Sequence, residues 1–271
     1  MNNLLSLAIQ ASLGAGNVIM DVYSMPFEVY NKEDNSPVTQ ADLRASTLIH
    51  EMLKPSLLPF LSEEELCYDY RERAAFTHYW LVDPLDGTKE FVNRNGEFTV
   101  NIALISHNRP TLGVIYAPVS DMLWFNNNGR VYRLNKASEF HKKSLDIITT
   151  SSELITSRHK KRPYIVLVSR SHRTPEVDIY IQDHLLPSHP DLTITSRGSS
   201  LKFADLVEGN ADIYVCYSKT KEWDTAAADA LLSTAGGSTI DIATLQPLLY
   251  NKEDYHNPPF LAIAPQEKPD R

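Results

Sequence analysis

Segments with helical and strand-like hydrophobic patterns alternate along the whole chain, and no long linker or internal repeat interrupts them. An amphipathic helix pattern spans residues 4–22, and a second helix pattern runs from about 40 to 54. Strand-like apolar runs then follow at 79–82, 98–105, 112–116, 122–125 and 131–134. A chain that makes both helices and sheets in this order has to stack them in layers around shared hydrophobic cores.

The second half of the chain continues the alternation. Strand patterns are found at 164–168, 213–217, 238–242 and 260–264, and helix patterns at 175–186, 200–208 and 225–235. The polar stretch 136–162 is rich in Ser, Lys and His, which is typical of a domain boundary. We therefore predict an α/β fold, an α+β layered sandwich with domains at 1–140 and 141–271 and a functional cleft between them.

Composition and charge restrict the class of protein. Hydrophobic residues make up 42% and charged residues 22% of 271 residues, as in globular proteins. The net charge of −8 disfavours nucleic-acid polymers as partners, because such partners require a basic surface. An acidic protein can still bind a small phosphate ester if metal ions supply positive charge locally.

The cellular compartment is predicted from the cysteines and the N-terminal segment. Cys67 and Cys216 show neither metal-type nor disulfide-framework spacing, which favours a reducing compartment. The first residues lack a basic region ahead of their apolar stretch, which argues against a signal peptide. No uninterrupted run of about 20 apolar residues is present, so no transmembrane segment is expected.

The segment WLVDPLDGTKEF, residues 80–91, carries the clearest chemical signal. Its apolar start predicts a buried strand, which Pro84 is expected to end because proline has no N–H to donate. Gly87 permits a sharp turn. Asp83, Asp86 and the Thr88 hydroxyl are thus expected to lie together at the end of the strand. Such an arrangement of oxygen atoms suits the binding of a hard divalent cation and the orientation of a water molecule. The alternative is an ordinary strand-to-loop corner.

Three further acidic positions each have a structural alternative. Glu63 follows an apolar segment, and such acid runs are commonly solvated. Asp224 precedes a helix pattern and is compatible with an N-cap. Asp42 lies three residues after Thr39, the spacing of a capping box.

The acidic residues would form a cation-binding site if they lay close together in the fold. Convergence of Glu63, Asp83, Asp86 and Asp224 would raise their pKa values unless cations neutralised them. Oxygen-only ligands of this kind suit Mg²⁺ rather than a soft metal. The spacing alone leaves their convergence open.

Several motifs together resemble a known family. LSEEE (61–65), WLVDPLDGTKEF and WDTAAADALL (223–232) are similar to the signatures of the inositol monophosphatase superfamily of Mg²⁺-dependent, lithium-sensitive phosphatases. A narrower resemblance, to its CysQ-type 3′(2′),5′-bisphosphate nucleotidases, rests on DNSPVTQAD (34–42), RNGEFTVNIALI (94–105), LGVIYAP (112–118), SRSH (169–172) and GSSLKF (198–203). It covers nearly the whole chain and implies alternating α-β-α-β-α layers, as in inositol monophosphatase and fructose-1,6-bisphosphatase.

The resemblance also implies a site that binds two or three Mg²⁺ ions. One ion would be held by Glu63, Asp83 and the backbone carbonyl of Leu85. A second would be shared by Asp83, Asp86 and Asp224.

The same resemblance implies catalytic roles for one hydroxyl group and two carboxylates beside the metals. Thr88 with Glu63 would orient and deprotonate the attacking water, and Asp42 would hold the Thr88 hydroxyl. The capping interpretation of Asp42 is compatible with this role, because one carboxylate accepts both hydrogen bonds.

The substrate implied by the resemblance is adenosine 3′,5′-bisphosphate, cleaved to AMP and phosphate in sulfur assimilation or nucleotide recycling. Ser199 and Lys202 would bind the second phosphate at a helix start, and His172 the nucleoside. The remaining predicted substrate contacts are Leu85, Asp86, Gly87, Thr88 and Asp224. An inositol or sugar monophosphatase of the same fold, and a catalytically inactive metal or nucleotide sensor, are the alternatives.

One position departs from the family pattern. Related nucleotidases often have an arginine where this chain has Cys216, and two alternatives are open: Lys219 or Lys221 supplies the missing charge, or the affinity for the nucleotide is weaker. The resemblance further implies a cytoplasmic enzyme, with peripheral association at the cytoplasmic face of the inner membrane left open. Monomer and homodimer are both compatible with the sequence.

Overall fold

The computed structural model describes residues 2–31, 37–65, 67–156 and 162–265. Residues 32–36, in the segment between the first two predicted helices, and part of the polar stretch 136–162 lie outside the described residues. The helices are α1 (Asn2–Tyr23), α2 (Gln40–Leu53), α3 (Tyr70–Arg73), α4 (Thr88–Val92), α5 (Leu145–Ser151), α6 (Pro175–Tyr180), α7 (Leu201–Val207) and α8 (Glu222–Ala235). A π-helical turn, Ile181–Leu185, extends α6.

Two large sheets and one hairpin contain the strands. The strands are β1 (Val29–Asn31), β2 (Pro37–Thr39), β3 (Phe60–Ser62), β4 (His78–Asp86), β5 (Thr99–Ser106), β6 (Arg109–Ala117), β7 (Met122–Asn127), β8 (Arg130–Asn135), β9 (Glu153–Leu154), β10 (Ile165–Ser169), β11 (Thr193–Arg197), β12 (Ile213–Cys216), β13 (Ser238–Asp241) and β14 (Phe260–Ile263). The seven-stranded sheet has the order β3-β4-β5-β6-β7-β8-β9, and the five-stranded sheet β11-β10-β12-β14-β13. β1 and β2 pair with each other.

The seven-stranded sheet is covered on both faces. Along β4, Trp80 and Val82 join the core formed with α1 and α2. Their neighbours Tyr79 and Leu81 join the core formed with α7 and α8. Because successive side chains of a strand point to opposite faces, this four-residue apolar run requires a sheet packed on both sides.

The five-stranded sheet closes the sandwich. Tyr214 and Cys216 of β12 face the layer of α7 and α8. Ile213 and Val215 pack instead with Val177 and the end of α6. The layers therefore run α-β-α-β-α, which confirms the fold class expected from the sequence.

The first helix belongs to the core of the α1–α2 layer. It has the length and mean hydropathy, 1.3, of a membrane-crossing helix, although no uninterrupted apolar run was found in the sequence. However, 61% of its 18-residue apolar window is buried in the fold, and Ile9, Leu13 and Ile19 are among its core residues. Burial of this extent is typical of a core helix.

The boundary predicted at residue 140 stays a prediction. The last strand of the seven-stranded sheet, β9, comes from residues 153–154, beyond that boundary. α8, from the second half of the chain, packs on β5 and β6 of the first. The edge strand β11 had no strand pattern in the sequence, because most of its residues are exposed and polar.

Pro84 does not end its strand, contrary to the sequence prediction. β4 continues to Asp86, and the register shifts between Asp83, which faces Asn101, and Asp86, which faces Thr99. Three steps along β4 thus match two along β5, which is the signature of a β-bulge. A bulge tolerates proline because its residue leaves the hydrogen-bonded ladder.

A buried glutamate fixes the start of α8. Glu222 is fully buried and accepts hydrogen bonds from the backbone N–H groups of Asn251 (2.8 Å) and Lys252 (2.7 Å). The Lys252 ammonium lies 2.7 Å from the same carboxylate. The helix begins at Glu222, three residues before the predicted start at Thr225.

We expect Glu222→Ala to lower the free energy of unfolding by about 2–4 kcal/mol, because it removes the acceptor of two N–H groups and the carboxylate partner of the Lys252 ammonium. Urea denaturation measures the loss. Glu253→Ala, an exposed change on the same loop, is the matched control and should stay within about 0.5 kcal/mol of the parent protein. Equal stability of both variants would contradict this role of Glu222.

Candidate active site

Three carboxylates from distant parts of the chain converge at one point. Ligand oxygens of Glu63, Asp83 and Asp224, here called the acidic cluster, all lie within 4.8 Å of one another. Glu63 directly follows β3, which runs parallel to β4, and its N–H donates to the Val82 carbonyl at 3.2 Å. Asp83 lies on β4, and Asp224 lies in the first turn of α8.

The electrostatics of the acidic cluster favour a bound cation. Burial raises the pKa of Asp83 well above its usual range, and the nearby carboxylates of Glu63 and Asp86 raise it further. Burial likewise raises the pKa of Asp224, followed by repulsion from Asp86. Because these donors are all oxygens crowded together and partly desolvated, they fit a hard divalent cation.

Asp224 is the third residue of its helix, not the N-cap that the sequence suggested as an alternative. The helix starts at Glu222 with Lys221 as N-cap. One Asp224 oxygen, Oδ2, accepts the Lys221 N–H at 2.8 Å. The carboxylate therefore stabilises its own helix end and also reaches the acidic cluster.

Asp86 lies beside the acidic cluster but is anchored elsewhere. Its Oδ2 accepts the N–H and hydroxyl of Ser200, at 2.7 and 2.8 Å, and the Asn101 amide at 3.2 Å. The Thr99 hydroxyl lies 3.5 Å from the same oxygen. These donors occupy Oδ2, so Oδ1 is the oxygen left to act as a ligand, and the predicted role of Asp86 in a second metal site stays a prediction.

Asp42 combines the two interpretations made for it. Its Oδ2 accepts the backbone N–H of Thr39 at 2.8 Å, as in a capping box. Its Oδ1 accepts the Thr88 hydroxyl at 3.2 Å. Asp42 is 2% exposed, and burial raises its pKa. The side chain that caps α2 therefore also orients the Thr88 hydroxyl.

All the predicted site residues except the buried Asp42 line one cavity of about 980 Å³. The predicted site residues that line it are Glu63, Asp83, Leu85, Asp86, Gly87, Thr88, His172, Ser199, Lys202 and Asp224. Gly87 has φ 92°, so the turn that leads into α4 uses the left-handed region that favours glycine. The structure thus gathers the residues predicted from separate motifs into one cavity, and the role of each of them stays a prediction.

The cleft rim joins α4 to the segment after β10. Lys89 donates from its ammonium to Nε2 of His172 at 2.9 Å, which requires that nitrogen to be unprotonated. Partial burial, with the neighbouring Lys89 charge, lowers the pKa of His172. Ser171 donates to the buried Glu90 next to Lys89. The motifs GTKEF and SRSH therefore meet at the rim.

Ser199 and Lys202 differ in part from the sequence prediction. Ser199 precedes the helix, has φ 44°, and its buried hydroxyl has no hydrogen-bond partner among the described residues. Lys202 is 6% exposed and donates to the Ser199 carbonyl at 2.7 Å. Burial lowers its pKa. The N–H of the N-cap residue Ser200 is donated to Asp86, and the predicted phosphate site at Ser199 and Lys202 stays a prediction.

Sequence reasoning missed several residues that support the site. Ser200 and Asn101 hold Asp86, although both lie inside quoted motifs. Glu97 binds Arg170 at 2.6 Å and accepts the Gly198 N–H at 2.8 Å. The only available signal was membership of the motifs, since polar residues inside strands and turns are common and their partners are distant in sequence.

Comparison with known proteins places the chain in a class. A model described as the inositol monophosphatase family matches residues 1–268. An inositol monophosphatase from Staphylococcus aureus superposes with a TM-score of 0.73 over 97% of this chain and 91% of that one, at 19% identity, and so shares the fold. The chain belongs to the inositol monophosphatase family, a family of metal-dependent phosphatases.

Relatives with higher identity share one name. Proteins named 3′(2′),5′-bisphosphate nucleotidase CysQ from Shigella flexneri and Escherichia coli K12 are 42% and 40% identical, each over 95% of this chain and 98% of the relative. A crystal structure of CysQ from Bacteroides thetaiotaomicron gives a TM-score of 0.90 at 40% identity. It covers 98% of this chain and 99% of its own. The family resemblance recognised in the sequence is thereby confirmed.

Proposed function

We propose that the protein is a Mg²⁺-dependent 3′(2′),5′-bisphosphate nucleotidase that hydrolyses adenosine 3′,5′-bisphosphate to AMP and phosphate. The observation that carries the proposal is the convergence of Glu63, Asp83 and Asp224 in a cavity that also contains several lysines. The relatives named CysQ, at about 40% identity, support the same substrate class.

The cation assignment rests on the chemistry of the donors. Carboxylate and carbonyl oxygens are the ligands that Mg²⁺ prefers. We assign Glu63, Asp83 and the Leu85 carbonyl to one ion and Asp83, Asp86 and Asp224 to another, with two or three ions in total. When bound, such ions supply positive charge to the phosphoryl group and acidify water.

The side chains beside the acidic cluster position the nucleophile. The Thr88 hydroxyl donates to Asp42, so its oxygen lone pairs are left to accept a hydrogen bond from a water molecule. Glu63 is assigned as the group that takes the proton from that water, since its carboxylate belongs to the acidic cluster and lines the same cavity as Thr88. Asp42 is a positioning residue, because its contact is with Thr88.

The walls of the cleft are assigned to substrate binding. His172 at the rim is assigned to the nucleoside, and Ser199 with Lys202 to the second phosphate. The buried Lys202 ammonium also interacts electrostatically with Asp86. In this assignment it links the phosphate pocket to the metal site.

A cytoplasmic location and the position of the cleft complete the proposal. Cys67 and Cys216 are both unpaired, as is typical of a reducing compartment.

We infer that the cleft lies between the two halves of the chain. Thr88 and Lys89, which line the cavity, come from the first half, and Lys202 and Lys221, which also line it, come from the second.

A substrate panel tests the proposed function. With Mg²⁺, we expect the kcat/KM for adenosine 3′,5′-bisphosphate to exceed that for inositol 1-phosphate by about tenfold or more, because only the first substrate uses the second phosphate pocket. Removing Mg²⁺ should abolish phosphate release, and Li⁺ should inhibit it. A preference for inositol 1-phosphate would instead support the monophosphatase alternative, and phosphate release from neither substrate the sensor.

A further inference from the structure

Two cleft lysines outside the assigned site lack an anionic partner. Lys219 and Lys221 lie in the segment 218–221, here called the lysine loop, between β12 and α8, and both line the cavity. Within the described ranges, no carboxylate oxygen lies within 4.0 Å of either ammonium. The other two lysines of the cavity are engaged, Lys89 with His172 and Lys202 with a backbone carbonyl.

The backbone of the lysine loop is held firmly. Asn257, which is 8% exposed, donates from its N–H to the Thr220 carbonyl at 2.9 Å and from its amide to the Lys221 carbonyl at 2.7 Å. The Lys221 N–H is donated to Asp224. Because these hydrogen bonds to Asn257 and Asp224 hold the backbone of the loop in place, binding a ligand through its lysines orders less of the chain, which lowers the entropic cost of binding.

The lysine loop lies next to the buried Lys202. Cys216, at the end of β12, has its Sγ 3.4 Å from the Ser218 hydroxyl. The charge of Lys202 acts on Cys216, and its ammonium lies 4.9 Å from the centre of the Tyr214 ring. The cavity lining therefore includes Lys202, Tyr214 and the lysine loop, and Cys216, which is 1% exposed, belongs to the core of the α7–α8 layer.

Charge balance indicates what this wall can bind. A phosphate monoester carries about −1.5 to −2 charges at neutral pH, and the single buried ammonium of Lys202 neutralises only part of it. In the proposed function the bound Mg²⁺ ions match the carboxylates of the acidic cluster and the reacting phosphate, so the rest of the charge on the non-reacting phosphate needs other cations. Among the described residues that line the cavity, Lys219 and Lys221 are the lysines left to supply it.

We propose that the lysine loop supplies that second cationic contact, through Lys219 and Lys221, to the non-reacting phosphate of the substrate. The inference rests on the proposed function, since it concerns a phosphate that only a bisphosphate substrate has. The ligand group is a dianionic phosphate monoester on a nucleoside.

The test compares two substrates that differ only in that phosphate. For the variant Lys219→Ala with Lys221→Ala, we expect the KM for adenosine 3′,5′-bisphosphate to rise about tenfold. The KM for adenosine 3′-monophosphate should change far less, and kcat should be kept, because a contact to a non-reacting group acts on binding. Arginine at both positions should restore the KM.

Lys143→Ala, an exposed change outside the cavity, removes one charge and controls for long-range electrostatics. Equal changes of KM on both substrates, or none on either, would overturn the inference. A second measurement tests the inference separately from the proposed function. AMP, which carries the non-reacting phosphate, is used as an inhibitor, and the substrate is adenosine 3′-monophosphate or inositol 1-phosphate, whichever the parent protein hydrolyses. A raised inhibition constant in the double variant supports the phosphate contact even if the bisphosphate is a poor substrate, and an unchanged one contradicts it.

Discussion

Asp83→Asn is expected to lower kcat/KM by on the order of 10³-fold, a loss of about 4 kcal/mol of transition-state stabilisation. Asp83 is 1% exposed and lies in the centre of the acidic cluster. Its Oδ1 accepts the Leu85 N–H at 3.0 Å, a bond that asparagine can keep. The substitution therefore removes a charged ligand with little change in shape, and phosphate release under saturating Mg²⁺ measures its effect.

The same variant should be more stable than the parent without metal. Burial and the neighbouring carboxylates penalise the charged form of Asp83, and asparagine carries no charge to penalise. Urea denaturation in the presence of a chelator measures this gain. Asp191→Asn, an exposed change of the same type, should alter neither activity nor stability. An active Asp83→Asn enzyme would refute the metal assignment.

Divalent cations are expected to stabilise the protein strongly at pH 8 and weakly at pH 5. The folded-state pKa values of Asp83 and Asp224 lie above the unfolded value of about 3.9, so the folded protein binds more protons than the unfolded chain. Without metal, the contribution of these two carboxylates to stability is therefore greatest below about pH 4 and is lost as pH rises through the raised folded values. Mg²⁺ opposes this loss because it binds the deprotonated carboxylates.

Thermal unfolding with and without Mg²⁺ measures this linkage. At a concentration of 100 times Kd, the ion adds about 2.7 kcal/mol, or roughly 5–10 °C in Tm for a chain of this size. Asp83→Asn should reduce both the Mg²⁺ effect and the fall of the metal-free Tm with pH. A metal-free Tm that rises from pH 5 to pH 8, or an equal Mg²⁺ effect at both, would contradict the linkage.

Local features of the site were predictable because they depend on neighbours in sequence. Thr39 and Asp42 form the expected capping box, and Gly87 adopts the left-handed turn. The bulge at Pro84 was not predictable, because it depends on how β4 is registered against β5. The start of α8 at Glu222 likewise depends on the distant residues Asn251 and Lys252.

The sequence by itself determined the longer helices, most strands, the layered class and the family, because hydrophobic periodicity and motif order are read along the chain. The short helices α3, α4 and α5 were not predicted, because four to seven residues are too few to show a helical period. Tertiary structure alone decided that Glu63, Asp83 and Asp224 meet, since their separation in space follows from the packing of β3, β4 and α8. It also decided that Ser200, 114 positions from Asp86, anchors that carboxylate. Contacts between distant segments depend on how the layers pack, and no local pattern encodes that packing.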